Sequence, residues 1–380
     1  MQDIPVVHLD RDVPFDAHAV VELATGGDDW FRHTQLRVFA PTGLAVLPSG
    51  GRDSIIYIVG GRACGRSADD GTPVLVITEA DVEAVLPLTA ALEAVELVFA
   101  ADPESTDTLP RRRLFLGSTR LNVLGGAWAA PGRLAVKAYT RNDQSCVVLF
   151  DGSGDFLAVI EGKALSRART AAATGVATRW LSRSDSRCAA ILGTGWQATA
   201  QLQAVCAVRP IDDVQVWSPT AAHRSRFAEE MGALLGVDVT ATATAVEAVE
   251  GADIVVTATK ARDPVLAGAW LRPGTHVNLV GANQKANREA DDAVVSSGAV
   301  VVVDDVAQAE AEAGEFHSAI RAGVLRWADV SELRDIVGGR AAGRTNAEQI
   351  TVFKSLGIGL EDVAVASIVY DRVTAATGDA

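Results

Sequence analysis

The sequence lacks the residue patterns that mark several common classes of protein. Its four cysteines are scattered without C-x-x-C spacing, which argues against a disulfide framework and against a zinc site: Cys64, Cys146, Cys188 and Cys206. None of its six histidines has a partner four residues away, so no metal site is expected. Basic residues are few: 34 against 48 acidic ones, a net charge of −14 that disfavours a nucleic-acid partner.

The sequence also shows neither a long apolar run nor the residue pattern of a secretory leader. No apolar run reaches the ~18 residues of a membrane-spanning helix, and the N-terminal segment lacks the basic and apolar regions of a signal peptide. The chain is 48% hydrophobic and 22% charged, an ordinary globular composition that excludes wholesale disorder. At roughly 100–200 residues per domain, we expect a two-domain, cytoplasmic α/β enzyme without a membrane partner.

Residues 1–70 differ from the rest and are interpreted as an N-terminal extension. They hold half of the histidines and eight of the 34 glycines, and the run at 54–59 predicts a strand. Beyond them, a short strand is predicted at 74–77, with Thr78 as the N-cap of a helix over 79–100 that Pro87 starts or kinks. Short apolar runs between 110 and 160 predict an antiparallel or mixed sheet. Residues 347–376 are predicted to be helical.

From residue 188 onward, strands alternate with helices. Six short apolar strands are predicted, at 188–192, 214–217, 237–240, 253–258, 276–280 and 299–303. Such alternation predicts a parallel sheet that is covered by helices on both faces. The prediction is therefore an α/β fold with a Rossmann-type, doubly wound parallel sheet.

The segment ILGTGWQA (191–198) carries the strongest motif, G-x-G-x-x-A between a predicted strand and a predicted helix. Gly193 permits the tight turn, and Gly195 removes the side chain where the backbone approaches a pyrophosphate. Ala198 allows close packing of helix on strand. Because the helix N-terminus offers free N–H groups and the positive end of the helix dipole, the motif predicts a dinucleotide site.

The end of the second strand bears on the choice of nucleotide. An NAD-specific site usually has an acidic residue there for the ribose 2′-hydroxyl, but this chain has Ser218. Thr220, His223 and Arg224 follow, and either His223 or Arg224 is suited to a 2′-phosphate. We therefore favour NADP(H) over NAD(H), with the alternative that Arg224 is a solvated helix residue.

Three basic residues stand outside the nucleotide fold. Lys137 lies in an apolar strand, Arg169 on an alanine-rich helix, and Arg112 within the triplet 111–113. Burying such a cation is costly unless an anion pairs with it. Arginine suits a substrate carboxylate, and a desolvated lysine can act as acid or base. Lys137 and Arg169 are therefore either structural ion-pair partners or active-site residues.

The chain from about Val74 to its end resembles the ornithine cyclodeaminase/μ-crystallin family. The resemblance rests on LAVK (134–137), LSRARTAA (165–172), ILGTGWQA (191–198), GADIVVTAT (251–259), HVNLVGA (276–282) and FKSLG (353–357). It implies an NAD(P)-binding Rossmann domain over 184–324. It also implies an α+β substrate-binding and dimerisation domain from 71–183 and 325–380, in a homodimer. The first 70 residues have no counterpart in it.

The resemblance also implies an activity and a set of site residues. Family members, among them ketimine reductases, pass a hydride between the nicotinamide C4 and the α-carbon of a small amino or imino acid. Arg112, Lys137 and Arg169 would hold the substrate carboxylate, with Lys137 also placed for proton transfer. The arginine triplet admits an alignment shifted by one residue. The cofactor would be lined by Gly193, Gly195, Gln197, Ala198 and Thr259, with Thr170 and Ser355 in the same pocket.

Asn283 departs from the ornithine cyclodeaminase pattern, which has an aspartate there. Asparagine cannot carry a proton as aspartate can, but it can orient a substrate nitrogen or a water. Alternatively, Asn283 is a plain loop residue. This departure favours imine reduction or amino-acid oxidation. The alternatives are cyclodeamination of ornithine to proline and ammonia, and a non-catalytic protein that retains NADPH.

Overall fold

The computed structural model describes residues 74–140 and 144–377, together with five strands in the segment before them. The chain forms two compact units. One comprises residues 1–76 with 157–159, and the other residues 77–156 with 160–380. Every helix in the described part of the chain is too short or too polar to cross a membrane.

The first unit contains an antiparallel sheet in which each strand pairs with the next along the chain. Its strands are β1 (Val20–Glu22), β2 (Gln35–Val38), β3 (Leu44–Leu47), β4 (Ser54–Val59) and β5 (Arg62–Ser67). The strand predicted at 54–59 is confirmed as β4. The other residues before Val74 lie outside the described part of the chain.

A second sheet has six strands. They are β6 (Leu75–Ile77), β7 (Thr106–Leu116), β8 (Thr119–Trp128), β9 (Arg133–Tyr139), β10 (Ser145–Asp151) and β11 (Phe156–Glu161). Their order is β6-β11-β10-β9-β8-β7. The neighbours from β7 to β10 are antiparallel, which confirms the prediction from the short turn-separated runs.

Three helices belong to this part of the chain: α1 (Glu79–Val85), α2 (Leu88–Ala100) and α3 (Gly162–Leu181). Thr78 caps α1, since its Oγ1 accepts the Asp81 N–H at 3.3 Å while the Asp81 carboxylate accepts the Thr78 N–H at 2.9 Å. Pro87 directly precedes α2 and divides the predicted helix in two, because proline lacks an N–H and clashes with a preceding helical turn.

A third sheet has eight strands, each parallel to its neighbours. They are β12 (Cys188–Leu192), β13 (Asp213–Trp217), β14 (Asp238–Ala241), β15 (Ile254–Thr257), β16 (His276–Leu279), β17 (Gly298–Val303), β18 (Val330–Glu332) and β19 (Ile350–Lys354). Their order is β14-β13-β12-β15-β16-β19-β17-β18. The direction of winding reverses between β12 and β15, and ligands of open parallel sheets bind at the carboxyl ends beside such a switch point.

Helices connect these strands and cover both faces of the sheet. They are α4 (Trp196–Val208), α5 (Ala221–Leu235), α6 (Ala245–Val249), α7 (Asp292–Ser297), α8 (Val306–Glu312), α9 (Gly314–Arg321) and α10 (Leu333–Val337), and the last helix, α11 (Gly359–Thr377), follows β19. Alternate strand residues enter two apolar clusters: Ala190 and Val255 in one, Ile191 and Val256 in the other. Burial of both faces confirms the predicted doubly wound α/β fold.

One strand corrects the secondary structure predicted for the C-terminal region. Residues 347–376 were expected to be helical, but β19 occupies 350–354, and α11 begins at Gly359. A short apolar run that is buried on both faces lacks the alternation that distinguishes strand from helix. β18 and β19 both belong to the eight-stranded sheet, although they lie in the range 325–380 that the resemblance grouped with the substrate domain.

The helix α11 packs on strands β7 to β10 of the six-stranded sheet. Glycines allow the close approach of helix and strand, since a Cβ on Gly126 would lie 2.4 Å from the Gly359 carbonyl oxygen. The last helix therefore brings its first turn directly onto the face of β8 and β9.

Candidate active site

The phosphate-binding turn has the geometry that its motif predicts. Gly193 has φ +115°, and a Cβ there would lie 2.4 Å from the Ala258 carbonyl oxygen. Gly195 is the N-cap of α4, and a Cβ there would meet nothing within 4 Å. Ala198 is fully buried against the sheet, and Gln197 is half-buried in the first turn. The open space above Gly195 and the uncapped N–H groups of α4 fit a pyrophosphate.

The residues after β13 lie together at the same edge of the sheet. Ser218 is buried, and its carbonyl oxygen accepts a hydrogen bond from Arg224 Nη1 at 2.9 Å. Thr220 and His223 are exposed. Thr220 is the N-cap residue of α5, but its side chain makes no capping hydrogen bond. Arg224 therefore stands folded back toward the end of β13 instead of extending into solvent.

Lys137 on β9 and Arg169 on α3 lie side by side, with carboxylates from the first turn of α11 between them. Lys137 Nζ is 3.1 Å from Asp362 Oδ1. Arg169 Nε is 3.1 Å from the same oxygen, and Arg169 Nη1 is 2.8 Å from Glu361 Oε2. All four side chains are buried. Lys137 and Arg169 thus form the ion pairs that one alternative expected, and they do so next to each other.

Burial sets the protonation of this cluster. It lowers the pKa of Lys137 to about 8, a decrease that Asp362 opposes and that the positive charge of Arg169 enlarges. It raises the pKa of Glu361 to about 8. Burial alone would lower the pKa of Arg169, but Asp362 and Glu361 more than offset it, so that pKa is raised. A lysine that titrates near pH 8 is suited to proton transfer near neutrality.

The arginine triplet is divided between the two faces of β7. Arg113 pairs with Asn122 on β8, which pairs with Tyr139 on β9, so Arg113 shares a face with Lys137. Arg112 points to the opposite face and is exposed, which corrects its assignment to the carboxylate site. Strand alternation is the reason: a shift of one residue reverses the face.

Arg111 and Arg113 extend the basic cluster. The Arg111 guanidinium lies 6.0 Å from the centre of the Tyr139 ring, and Lys137 Nζ lies 5.6 Å from it. Arg111 and Arg113 both form ion pairs with Glu312, the last residue of α8. Arg111 Nη2 also donates to the carbonyl oxygens of Leu356 and Gly357 at 2.8 and 2.7 Å. These contacts link β7 of the six-stranded sheet to α8 and to the residues that follow β19 of the eight-stranded sheet.

Four basic side chains, Arg111, Arg113, Lys137 and Arg169, meet in this cluster. Three carboxylates form ion pairs with them: Glu312 with Arg111 and Arg113, Asp362 with Lys137 and Arg169, and Glu361 with Arg169. Burial raises the pKa of Asp304, which lies near Arg111, to about 6. Three guanidinium groups and one ammonium so close together offer several N–H donors to one small anion.

The remaining predicted site residues lie around this cluster. Asn283 follows β16, and its carbonyl oxygen accepts a hydrogen bond from Arg113 Nη2 at 3.0 Å. Thr259 follows β15 and donates through its N–H and Oγ1–H to Glu289, at 2.7 and 2.8 Å. Thr170 is half-buried next to Arg169, and Ser355 is buried directly after β19. Asn283, Thr259 and Ser355 follow strands of the parallel sheet and lie at its carboxyl edge, whereas Thr170 lies on α3.

The sequence alone did not indicate the acidic residues of the site, which are Glu289, Glu312, Glu361 and Asp362. Arg111 and Arg113 are the neighbours that an alignment shifted by one residue would have selected in place of Arg112. The adjacent acids Glu361 and Asp362 stand at the head of the apolar run of α11, as Lys137 stands inside an apolar strand. Opposite charges in two apolar elements indicate a buried ion pair, and this signal would have identified Asp362. No comparable feature of the sequence marks Glu289 or Glu312.

Comparisons with known proteins show the family and the fold. The model of the ornithine cyclodeaminase/mu-crystallin family matches residues 75–377. The ketimine reductase mu-crystallin of Rattus norvegicus is 37% identical over 230 residues, which are 60% of this chain and 69% of that protein. The matched segments span about two thirds of the curated relatives, from 63% to 69% of their lengths.

Two solved structures are similar over 80% of this chain and 98% of their own. The Δ1-pyrroline-2-carboxylate reductase of Thermococcus litoralis, in complex with NADH and L-proline, has a TM-score of 0.76 at 33% identity. The iminosuccinate reductase of Paracoccus denitrificans, in complex with NAD+, has a TM-score of 0.75 at 31% identity.

Proposed function

The chain belongs to the ornithine cyclodeaminase/mu-crystallin family, and from this premise we propose that it is an NAD(P)-dependent oxidoreductase that reduces the C=N bond of a small α-imino acid. The reverse reaction is the oxidation of the matching α-amino acid. The basic cluster of Lys137, Arg169 and Arg111, which are buried, and Arg113, which is half-buried, carries this proposal together with the dinucleotide turn.

The cluster supports an α-carboxylate as the anchored group of the substrate. Arginine presents paired N–H donors that match the two oxygens of a carboxylate. Arg169 still has an N–H group beyond those used for Glu361 and Asp362. Fixing the carboxylate on two sides holds the imine carbon in one orientation, which removes much of the entropic part of the barrier.

We assign to Lys137 the donation of a proton to the imine nitrogen. Bound NADPH or NADH supplies the hydride for the imine carbon. Lys137 Nζ, with its pKa lowered to about 8 by burial, holds a proton near neutral pH for the imine nitrogen. The carbon gains the hydride and the nitrogen gains the proton, so C=N becomes CH–NH. Asp362, at 3.1 Å from Nζ, keeps the ammonium in place between turnovers.

NADP(H) is proposed over NAD(H). The residue at the end of β13 is Ser218, which leaves no carboxylate to repel a 2′-phosphate. Arg224 Nη1 is anchored 2.9 Å from the Ser218 carbonyl oxygen, and the exposed Thr220 and His223 lie beside it. An arginine held at this position supports recognition of the phosphate by charge and by hydrogen bonds.

A homodimer through the six-stranded sheet is proposed as well. The face of β7 that carries Arg112 also carries Leu114 and Leu116, which are 63% and 83% exposed. Leu134 and Val136 of β9 continue this apolar face. A contiguous exposed apolar surface of this kind is typical of an association site. The resemblance assigns residues 71–183 and 325–380 to the substrate and dimerisation domain; we propose that its C-terminal part is α11 alone, because β18 and β19 belong to the eight-stranded sheet.

The test is a paired fluorescence titration with NADPH and NADH, followed by absorbance at 340 nm after addition of cyclic and linear α-imino acids. Imine-dependent oxidation of the nucleotide, with tighter binding of NADPH, is the expected result. Ornithine is included as a substrate, because proline and ammonia formed without net change at 340 nm would identify a cyclodeaminase. Nucleotide binding without any turnover would refute the catalytic proposal.

A further inference from the structure

Glu289, in the loop after β16, is fully buried, and its carboxylate accepts four hydrogen bonds. Oε1 accepts the N–H and the Oγ1–H of Thr259 at 2.7 and 2.8 Å. Oε2 accepts the N–H groups of Gly281 and Ala282 at 2.6 and 3.2 Å. Four donors on one buried carboxylate make a rigid junction, because each displaced donor would be left unsatisfied.

The donors belong to the two strand ends that flank the site. Thr259 follows β15 at the switch point, and its Cγ2 atom lies 3.3 Å from the Cβ position of Gly193 in the phosphate-binding turn. Ala282 directly precedes Asn283, whose carbonyl oxygen is held by Arg113. A single side chain therefore joins the nucleotide side of the site to its carboxylate-binding side.

A second layer fixes Glu289 itself. Its N–H donates to Glu315 Oε1 at 2.9 Å, and Glu315 Oε2 lies 3.3 Å from Lys354 Nζ at the end of β19. All three side chains are fully buried. Burial raises the pKa of Glu289, while Lys354 and the hydrogen bonds from Thr259 limit the rise. The junction thus rests on a buried charge network, and not on a flexible surface loop.

We propose that Glu289 is a positioning residue for hydride transfer, holding the ends of β15 and β16 in the one arrangement that aligns dinucleotide and imino acid. This inference rests on the proposed reductase function. Glu289 does not touch the reacting atoms and moves no proton. Its loss would leave the nucleotide anchored by the Gly193–Gly195 turn, but it would let the strand ends shift, and small displacements of reacting groups strongly slow a transfer.

The experiment compares Glu289→Gln with Asp253→Asn in the full-length protein. The glutamine keeps the shape but turns an NH2 group toward two donors. Asp253 is a matched control at the opposite end of β15, where it accepts the N–H groups of Arg187 and Cys188 at 2.8 and 3.0 Å. Measured for both are kcat, KM, the dissociation constant of NADPH, Tm, and the primary isotope effect with NADPH deuterated at the transferred position.

For Glu289→Gln we expect kcat to fall about 10- to 100-fold and the isotope effect to rise, with NADPH binding retained. Asp253→Asn lowers Tm but leaves kcat and the isotope effect unchanged. If Glu289→Gln does not fold, Thr259→Val removes one donor at nearly constant volume and should shift kcat and the isotope effect in the same direction.

A Glu289→Gln variant with the kcat and isotope effect of the wild type overturns the inference alone. Parallel losses in both variants, with unchanged isotope effects, also overturn it, because they indicate a loss of folded protein. A wild-type protein that turns over no imino acid refutes the proposed function, and this inference with it.

Discussion

Replacing Lys137 with methionine should separate activity from stability. Burial lowers the pKa of this lysine from 10.5 to about 8. This decrease means that the buried ammonium reduces the free energy of unfolding by about 3 kcal/mol. Removing the ammonium relieves this cost. This figure already includes the attraction and the hydrogen bond of Asp362, which oppose the decrease in pKa, and after the replacement Asp362 keeps Arg169 Nε at 3.1 Å. We expect a stability equal to or above that of the wild type at pH 7.

The sign of the pH dependence follows from the lowered pKa. The wild type carries the cost fully below pH 8 and loses it as the pH rises from about 8 toward 10.5. The advantage of Lys137→Met should therefore be largest at pH 7 and shrink by pH 9.5. Urea unfolding of both proteins at the two pH values measures this difference. Lys163→Met, which removes an exposed lysine from the first turn of α3, is the control.

The same variant should lose about 10²- to 10⁴-fold in kcat for imine reduction, the range for a lost general acid, while binding NADPH normally. In the wild type, kcat/KM for reduction should decline above pH 8 as Lys137 loses its proton. Turnover within a few-fold of the wild type would refute the proton-donor assignment. A large destabilisation at pH 7 would refute the argument that the ammonium is held at a cost.

Three further predictions concern the rest of the site. Gly195→Val should abolish NADPH binding in a fluorescence titration with unchanged Tm, because its side chain enters space that is empty of protein; retained affinity would contradict the phosphate-turn assignment. Arg113→Ala should raise KM for the imino acid about 10- to 100-fold, whereas Arg112→Ala should leave KM near the wild-type value, and the reverse order would place the wrong face of β7 in the site. Leu114→Glu should shift the protein toward monomer in analytical ultracentrifugation, and an unchanged mass would count against the proposed dimer surface.

The sequence was sufficient to predict those elements that depend on local residue patterns. The G-x-G-x-x-A turn, the strands from β12 to β17 and the capping box at Thr78 each depend on residues that are close together in the chain. Lys137 and Arg169 were identified because charge inside an apolar run demands a partner. The partner, Asp362, lies 225 positions after Lys137. Its charge stands out at the head of an apolar run, but no local pattern shows that it pairs with Lys137.

Register explains the other differences between expectation and structure. A β-bulge lies between Leu109 and Arg112 on β7, so the faces of the arginine triplet could not be counted from the preceding proline. β19 was missed because its buried apolar run has no period of its own. Glu289 has no sequence signal, since its function depends on three backbone N–H groups that become neighbours only when β15 and β16 pair.

The position of β19 has a consequence for the order in which the molecule can assemble during synthesis. β19 lies in the interior of the eight-stranded sheet, between β16 and β17, and leads into α11. A nascent chain that has emerged as far as residue 345 has neither this strand nor the carboxylates of Glu361 and Asp362. Lys137 and Arg169 then lack the carboxylates that pair with them when they are buried, and the edges of β16 and β17 that face β19 are unpaired. We therefore expect the six-stranded and the eight-stranded sheet to complete their folding late in translation, in one cooperative step.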